Sequence, residues 1–365
     1  MIKRLLFILF LTCSAALGSG QDQSLLVHKK SGELLSIAVD QIDSIRFVET
    51  GNVQRNKWYF MLETPGIADY LRDFEYDRND YSYHRIFDYR GEPYLDARQD
   101  WPYGVDLGDT VIYNLVPNRQ YEVNGIRFNT LGQLRMLRLE GVNNVRDLGG
   151  WPLSNGGRMR YGCVVRGPEL NTSLPASDAS YRLHQATDAD IETLRNVVGI
   201  RAELDLRSVT ELSRDEAYDL QHSALGSDVA YANVPNCSTA PINGPAPTWV
   251  EALSFVVASL QARQPVYVHC RWGADRTGLL CMLLEGVLGM SESDLAKDFE
   301  LTSFCGNTRY RTDSRFRESI AYIKSLPGDT LQEKFRRYWL ACGATAEQLD
   351  TLASLMTTNP SNPEP

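Results

Sequence analysis

Residues 269–278 read His-Cys-Arg-Trp-Gly-Ala-Asp-Arg-Thr-Gly and lie between the short apolar segment 266–268 and the strongly apolar segment 278–288. These apolar segments predict a buried strand before the loop and a helix after it. In such a unit, successive backbone N–H groups converge on one point at the helix N-terminus, where an anion can bind. Gly273 lets the backbone curl tightly because it carries no Cβ. The stretch therefore predicts a site for a phosphate group.

Two side chains of this loop have the spacing that phosphate chemistry needs. Cys270 is the predicted nucleophile, and Arg276 is positioned to return its guanidinium to the same anion in a bidentate manner. Thr277 is placed to donate its hydroxyl to the sulfur when the sulfur leaves, and His269 is expected to orient the loop through backbone hydrogen bonds. The other loop residues predicted to surround the phosphate are Arg271, Trp272, Gly273, Ala274 and Gly278.

A competing interpretation makes Cys270 a buried structural thiol, because a bare Cys and Arg at this spacing occur often by chance. Here, however, a His precedes the Cys, a Gly follows three positions later and Arg-Thr-Gly closes the loop. An apolar strand and an apolar helix flank the whole stretch. This joint pattern favours the nucleophile over the structural thiol.

Three blocks between residues 144 and 278 carry a family resemblance: Asn144 to Gly150 with Arg166-Gly167 downstream, Asp205 to Ser208 with Glu211, and His269 to Gly278. On these blocks the segment from about 140 to 356 resembles the tyrosine-phosphatase superfamily and, more narrowly, the secreted bacterial tyrosine/lipid phosphatases related to the mycobacterial enzyme of broad specificity. The resemblance implies an α/β fold, a two-step mechanism through phosphocysteine, and activity on phosphotyrosine, with phosphoserine, phosphothreonine and phosphoinositides as further candidate substrates.

One position departs from the family pattern. The family usually has Lys where this chain has Ala274. A second cation beside the phosphate helps with polyanionic substrates, so its absence weakens the phosphoinositide interpretation. Neither a metal nor another cofactor is expected for this mechanism.

The general acid has two candidates. The stretch 229–250 contains no Asp or Glu, so a mobile loop at that position cannot supply the acid. Asp275 lies inside the phosphate loop, and Asp205 lies at the carboxyl end of a predicted neighbouring strand, where ligands of open α/β sheets bind. The family resemblance favours Asp275. Asp205 could instead hold Arg207 or the loop in place, and Arg207 itself is a candidate contact of the substrate.

Two further charged groups allow two interpretations each. Arg146 and Asp147 could shape the pocket, or they could form an ion pair that packs the first strand of the domain. A basic cluster could line the entrance for anionic substrates, or it could be a solvated helix face. The cluster consists of Arg309, Arg311, Arg315 and Arg317.

The hydrophobic patterning predicts a multidomain chain of β-rich N-terminal modules followed by an α/β domain with a largely parallel central sheet. A strand around Tyr121 resembles the tyrosine corner of fibronectin type III domains, and Asn124-Gly125 predicts a tight hairpin turn. The predicted units are a signal peptide at 1–20, a short β-rich segment at 21–50, a fibronectin/Ig-like β-sandwich at 57–131, a tyrosine-phosphatase-like domain at 138–356 and a disordered tail at 357–365.

The net charge and the N-terminal sequence limit the location and the binding partners of the protein. The net charge of −9 argues against binding to nucleic acid and to anionic membranes. A basic start, the apolar run Leu5 to Leu11 and small residues after it predict an exported protein, periplasmic or extracellular, with no integral membrane span. Lipid anchoring through Cys13 is the weaker alternative. The expected partner is a phosphorylated protein or a small phosphoester, and the sequence gives no prediction of oligomeric state.

Two rival functions stay open at this point. The first is an inositol-polyphosphate phosphatase of the phytase type, which would want a strongly basic pocket. The second is a phosphate-binding protein without catalytic activity on an adhesive scaffold. The presence of Cys270, Arg276 and Thr277 argues against the second, because binding alone does not need a thiolate.

Overall fold

The computed structural model describes part of the chain, which divides into two compact units. In the smaller unit, the described residues form the antiparallel hairpin β1 (Ser24–His28) and β2 (Leu34–Ala38). The rest of the β-rich segment predicted at 21–50 lies outside the described residues. The described residues are 24–28, 34–38, 85–87, 93–96, 105–106, 111–117, 119–123, 125–129, 135–172, 177, 184–208, 222–235, 241–302, 309 and 313–358.

The described residues between 85 and 129 form three antiparallel strand pairs. The hydroxyl of Tyr121 accepts a hydrogen bond of 2.9 Å from the backbone N–H of Val116, which is the kind of contact that a tyrosine corner makes. Most of the range 57–131 lies outside the described residues, so the sandwich stays a prediction. The pairs are β3 (Arg85–Phe87) with β4 (Pro93–Asp96), β5 (Val105–Asp106) with β6 (Val111–Ile112), and β7 (Gln120–Val123) with β8 (Ile126–Asn129).

The centre of the larger unit is a five-stranded sheet in the order β13-β12-β14-β11-β9. Four of its strands are parallel, and β9 is an antiparallel edge strand, so the sheet is largely parallel as predicted. The strands are β9 (Arg146–Asp147), β11 (Val164–Gly167), β12 (Ala202–Asp205), β13 (Ala230–Asn233) and β14 (Val266–His269).

Helices alternate with these strands and then continue beyond the last strand of the sheet. A capping box at Thr187 and Asp190 starts α1 (Asp188–Glu192). The chain continues to Val198 as a π-helical turn, closed by the N–H of Gly199 donating to the carbonyl of Leu194. The other helices are α2 (Thr248–Gln261), α3 (Arg276–Leu288), α4 (Glu292–Leu301), α5 (Ser314–Ser325), α6 (Leu331–Cys342) and α7 (Ala346–Met356).

The central strand β14 separates two hydrophobic clusters. Val266 and Val268 face the larger cluster together with much of α2 and α3, whereas Tyr267 faces a smaller cluster that includes Val165 and Leu194. Alternating side chains of a strand point to opposite faces, so a strand buried on both faces is apolar throughout. This explains why the segment 266–268 reads as continuously apolar.

The predicted start of the tail at 357 is wrong by two residues. Thr357 and Thr358 form a short strand, β15, that pairs with Met159 and Arg158 of β10 (Arg158–Met159). The Thr358 hydroxyl also accepts a hydrogen bond from the Arg158 backbone, so both ends of the domain are tied together. The rest of the tail lies outside the described residues.

Within the described part of the chain, no helix combines the length and the apolar character that crossing a membrane requires.

Candidate active site

The candidate nucleophile lies at the carboxyl edge of the sheet. Cys270 follows β14 directly, between the neighbouring strands β11 and β12, and its side chain is buried. Helix α3 begins six residues later, so the positive end of its dipole meets the loop. This places the sulfur where open α/β sheets bind ligands.

Four successive carbonyl groups of the loop are fixed by hydrogen bonds from donors around it. The donors come from three different parts of the domain and from the histidine that ends β14. The pairs are His269 Nδ1 to Cys270 O (3.2 Å), Glu169 N to Arg271 O (3.2 Å), Asn144 Nδ2 to Trp272 O (3.3 Å) and Arg166 Nη2 to Gly273 O (2.9 Å).

The fixed carbonyls determine where the backbone N–H groups point. In a trans peptide the N–H of the next residue lies opposite to the carbonyl oxygen, and none of the described peptide bonds is cis. The amides from Arg271 to Ala274 therefore turn away from the surrounding donors and toward the inside of the loop. The result is a ring of donors suited to the oxygens of a phosphate.

Gly273 is required by the backbone and by its neighbour. Its φ of +63° lies in the left-handed region that favours glycine. A Cβ at this position would collide with the carbonyl oxygen of Gly167 and with the backbone nitrogen of Pro168. The Arg166-Gly167 block noted in the sequence thus packs directly against the phosphate loop.

Arg276 and Thr277 are the first two residues of α3. Arg276 Nη1 donates to the carbonyl of Leu206 at 2.9 Å, so its guanidinium lies beside the carboxyl end of β12. Thr277 is fully buried, and its hydroxyl makes no hydrogen bond to any described residue. A buried hydroxyl without a partner is costly, and a thiolate at the start of the same loop is a suitable acceptor.

His269 contacts oxygen atoms on both sides of its ring. Nε2 lies 2.9 Å from Oε1 of Glu203, and Nδ1 lies 3.2 Å from the Cys270 carbonyl. Burial alone would lower the pKa of His269, but the carboxylates of Asp205 and Glu203 raise it above its ordinary value. Because both neighbours accept hydrogen bonds, the ring fits the doubly protonated form, which orients the loop and places a positive charge behind it.

Two buried arginines connect the loop to helix α4. Arg146 Nε donates to Oδ1 of Asp298 at 2.8 Å, and Arg166 Nη1 bonds the other carboxylate oxygen. Arg146 also donates to Oδ1 of Asn144 at 2.6 Å, which holds the amide that reaches the loop carbonyls. Burial alone would raise the pKa of Asp298, but the two guanidinium groups lower it. Asp298 therefore neutralises Arg146 and Arg166, the two arginines that hold the phosphate loop in place.

The sequence did not indicate Asp298. The sequence offers at most an indirect signal, because arginines on buried strands require a buried counter-charge. Arg146 and Asp147 are each in an ion pair, but not with each other, because Asp147 accepts from Arg135 at 3.0 Å instead. Asp147 also accepts from the backbone N–H groups of Gly149 and Gly162, so it fixes the turns beside the first strand of the sheet.

Replacing Asp298 with Asn should destabilise the fold strongly. Removing one partner of a buried ion pair typically lowers the free energy of unfolding by about 3–5 kcal/mol. Because the pKa of Asp298 is lowered in the folded state, its stabilisation is present above the unfolded pKa and is lost as the pH falls through the folded pKa. In Asp298→Asn the free energy of unfolding should therefore depend less on pH in the acid range. Urea unfolding of the full chain between pH 3 and pH 7 measures both effects.

Glu292→Gln on the same helix provides the matched control. Glu292 pairs with Lys324 at 2.8 Å on the surface, and a pair of that kind contributes only about 0–1 kcal/mol. Equal losses for the two variants would contradict the assignment of Asp298 as the buried counter-charge.

Asp205 is fully buried, and hydrogen bonds fill both of its carboxylate oxygens. Arg207 contacts it through Nε and Nη2, the latter at 2.7 Å, and the Tyr231 hydroxyl donates to Oδ2 at 3.0 Å. Burial alone would raise the pKa of Asp205, but His269 and Arg207 lower it. This geometry favours a positioning role over proton transfer.

The guanidinium of Arg207 is engaged by protein groups on every side. Besides Asp205, it donates through Nη1 to Oε2 of Glu169 at 3.1 Å and to the carbonyl of Asn171 at 3.2 Å. With a side chain that is almost fully buried, the predicted direct contact with substrate is not favoured. Glu211 of the same sequence block lies outside the described residues.

Asp275, the other candidate acid, immediately precedes α3 and is partly exposed. Arg309 donates from Nε to Oδ1 at 3.0 Å and from Nη2 to Oδ2 at 2.9 Å. Nη1 of Arg315 lies 3.1 Å from Oδ1. Although burial would raise the pKa of Asp275, the two arginines lower it. Two members of the predicted basic cluster thus meet the loop, whereas Arg317 pairs with Glu318. Arg311 lies outside the described residues.

The remaining loop residues differ in what they present. Trp272 is 38% exposed, and its ring meets the ring of His184 edge to face at a centroid distance of 4.2 Å. Arg271 is partly exposed near Glu169, with 4.0 Å between Nε and Oε1. The methyl group of Ala274 is fully buried, so this residue offers only its backbone amide.

The predicted substrate contact of Gly278 is wrong. Its backbone N–H donates to the carbonyl of Ala274 at 3.0 Å as part of the first turn of α3, so it is not available to a phosphate. Its Cα faces Arg166 and Phe299, where a Cβ would make tight contact with the guanidinium. The missing Cβ at Gly278 therefore lets α3 pack closely against Arg166.

The described residues contain no group of three or more His, Cys, Asp or Glu side chains that could hold a metal ion.

A parallel sheet with a cysteine loop between its central strand and a buried helix defines the class of protein. Residues 137–358, more than half of the chain, match the model of the tyrosine phosphatase family. The chain therefore belongs to the tyrosine phosphatase family.

Curated relatives support the same assignment over part of their length. A candidate tyrosine-protein phosphatase of Cupriavidus necator is 26% identical over 181 residues, which is 45% of this chain and 61% of the relative. A tyrosine-protein phosphatase of Nostoc commune is 25% identical over 192 residues, which is 47% of this chain and 64% of the relative. The chain thus spans less than two thirds of either relative.

Two solved structures show weaker similarity to this chain. The core catalytic domain of the PP-IP phosphatase SIW14 from S. cerevisiae has 15% identity and a TM-score of 0.29, covering 56% of this chain and 93% of that one. P. aeruginosa TpbA has 18% identity and a TM-score of 0.30, covering 53% and 97%. At these values neither structure bears on the function of this chain.

Proposed function

We propose that this protein is a cysteine-dependent phosphatase that hydrolyses phosphomonoesters through a phosphocysteine intermediate, with phosphotyrosine as its preferred substrate. The observation that carries the proposal is the loop from Cys270 to Arg276, whose carbonyls are fixed from outside so that its amides face inward. Phosphoryl transfer is catalysed largely by positioning and charge stabilisation, and this loop supplies both.

The first chemical step forms the phosphocysteine. The thiolate of Cys270 attacks phosphorus in line, while the loop amides and the Arg276 guanidinium hold the three equatorial oxygens. The bond between phosphorus and the ester oxygen breaks, and an acid delivers a proton to the departing oxygen. Water then attacks phosphorus, the sulfur leaves as a thiolate that accepts a hydrogen bond from Thr277, and inorganic phosphate is released. The two steps consume one water and need no redox partner.

Asp275 is the proposed general acid. Ion pairs or hydrogen bonds engage both oxygens of each carboxylate, but Asp275 is partly exposed beside the loop, whereas Asp205 is fully buried. A general acid must reach the leaving group of the substrate, so geometry favours Asp275 before its pKa is considered. Asp205 acts as a positioning residue through Arg207 and His269.

The exposed ring of Trp272 supports an aromatic substrate. It lies two residues from the nucleophile, which limits the distance between the two Cα atoms to about 7.6 Å, and the fully buried His184 holds it in place. Aromatic pairs contribute about 0.5–1.5 kcal/mol beyond their buried area. A phosphotyrosine ring that enters the loop can gain this contact, and a phosphoserine side chain cannot.

A substrate panel tests the function. We expect the mature protein, assayed in EDTA, to hydrolyse a phosphotyrosine peptide with a higher kcat/KM than a phosphoserine peptide, a phosphoinositide or phytate. Hydrolysis that requires an added metal would contradict the mechanism. Highest kcat/KM on phytate or the phosphoinositide would replace the proposed substrate class with one of the two polyanionic alternatives.

The narrower relationships and the location are proposals as well. The order of the three sequence blocks supports membership in the group of secreted bacterial tyrosine/lipid phosphatases related to the mycobacterial enzyme, and the Tyr121 contact supports a fibronectin-like module before the catalytic domain. The N-terminal pattern supports export after cleavage near Gly18 to Gly20. N-terminal sequencing of the protein from the exported fraction checks this, and an uncleaved cytoplasmic chain would contradict it.

A further inference from the structure

One carboxylate of the phosphate loop meets two positive charges. Arg309 occupies both oxygens of Asp275 through Nε and Nη2, and Arg315 from α5 approaches Oδ1 at 3.1 Å. We call these three residues the Asp275 cluster. It carries two positive charges and one negative charge, so a net positive charge remains beside the loop.

The cluster lies at the rim of the loop. Asp275 is bonded to Arg276, whose Cα lies about 3.8 Å further along the chain. The side chain of Arg315 is 59% exposed, so it is open to solvent and to a substrate that enters the loop. The loop itself supplies no cation at 274, because Ala274 is buried and apolar. Positive charge at this side of the site therefore comes from the two arginines.

An ion pair with Asp275 does not by itself require both arginines. The fork of Arg309 already satisfies both carboxylate oxygens, and a bidentate pair is the strongest form of this interaction. An additional exposed ion pair contributes only about 0–1 kcal/mol. Arg315 thus adds little to the attachment, but it doubles the positive charge at the rim.

We propose that Arg315, together with Arg309, binds a second anionic group of the substrate, the carboxylate of an acidic residue beside the phosphotyrosine. This inference rests on the proposed phosphatase function. A local cationic rim is needed for such a peptide because the protein has a net charge of −9. More distant surface charges are screened beyond about 10 Å at ordinary salt, so the two arginines dominate near the loop.

The test compares two phosphotyrosine peptides that differ only in their flanking residues, Glu in one and Gln in the other. For the wild-type full chain we expect kcat/KM to be about 3- to 10-fold higher for the Glu peptide, the range of a partly exposed charge-assisted contact. In Arg315→Ala the ratio should fall to about one. Because both peptides use the same loop, any effect of the variant on Asp275 chemistry cancels in this ratio.

Arg317→Ala is the matched control. Arg317 lies on the same helix with a side-chain exposure of 61%, but it pairs with Glu318 rather than with the loop. This variant should keep the wild-type ratio, and added salt should reduce the ratio in wild type and in Arg317→Ala alike.

The possible outcomes separate the two proposals. Equal kcat/KM for both peptides in wild type, or an unchanged ratio in Arg315→Ala, overturns the second-anion site while the phosphatase function stands. Failure to hydrolyse either peptide contradicts the phosphatase proposal itself. A higher, Arg315-dependent kcat/KM on inositol hexakisphosphate than on the Glu peptide would assign the second anion to a phosphate and overturn the peptide assignment.

Discussion

Cys270→Ser should abolish phosphatase activity, with kcat falling by at least about 10⁴-fold. The sulfur is the only protein atom that bonds to phosphorus in this mechanism, and a serine hydroxyl at this position has no base to activate it. Losing the nucleophile of other covalent hydrolases reduces kcat by factors of this order or larger. Steady-state assays on a phosphotyrosine peptide, together with acid-quenched labelling of the enzyme by a radioactive phosphoester, measure the loss of turnover and of phosphocysteine.

The binding site should survive this substitution. Serine is close to cysteine in size, and the amides and Arg276 that hold the phosphate are unchanged. Inorganic phosphate should therefore still raise the melting temperature of Cys270→Ser by mass action. Loss of activity without loss of phosphate binding separates the chemical role of the sulfur from a structural one.

A second buried cysteine serves as the control. Cys281 lies inside α3, and burial raises the pKa of its thiol to about 12, so it is not a thiolate at neutral pH. Cys281→Ala should retain kcat and the labelled intermediate. Labelling or turnover that persists in Cys270→Ser, or that disappears in Cys281→Ala, would assign the chemistry to another residue.

The loop could be predicted from the sequence because its signals are local. The spacing of Cys270 and Arg276, the position of Gly273 and the apolar segments on both sides all lie within a few residues of one another. The order of strands and helices followed from periodicity for the same reason. What the sequence could not show is how far away the supports of the loop originate.

Asn144 and Asp298 illustrate this limit. Asn144 contacts the loop from 128 residues away in sequence, and Asp298 neutralises Arg146 across 152 residues. Asp298 has no local pattern that distinguishes it from an ordinary polar side chain, and the block that Asn144 begins does not indicate its contact with the loop. The same applies to Asp205, whose position at a strand end suggests catalysis until its partners Arg207 and Tyr231 are known.

Asp275→Asn should lower kcat for a phosphotyrosine peptide by about 10²–10⁴-fold, the usual contribution of a positioned acid. The tyrosine oxygen has a pKa of about 10, so it leaves slowly as an anion without a proton. The nitrophenolate of p-nitrophenyl phosphate is a much better leaving group and needs this proton less. The loss on p-nitrophenyl phosphate should therefore be clearly smaller than the loss on the peptide.

Asp205→Asn provides the contrast. It removes the charge that Arg207 and His269 face, so we expect a lower melting temperature and similar losses of kcat on both substrates. The two assignments would be exchanged if Asp205→Asn lost more kcat on the peptide than on p-nitrophenyl phosphate and Asp275→Asn lost the same on both.

The pH dependence adds a constraint on how Asp275 acts. An acid must carry its proton before it can donate it, yet Arg309 and Arg315 lower the pKa of Asp275, so the carboxylate is favoured at neutral pH. Weakening one of these ion pairs should raise that pKa and extend the protonated form to higher pH. In Arg315→Ala, the pH at which kcat for the phosphotyrosine peptide declines on the alkaline side should consequently move upward, whereas Arg317→Ala should leave it in place. An unchanged alkaline limb in Arg315→Ala would show that the proton comes from a group other than Asp275.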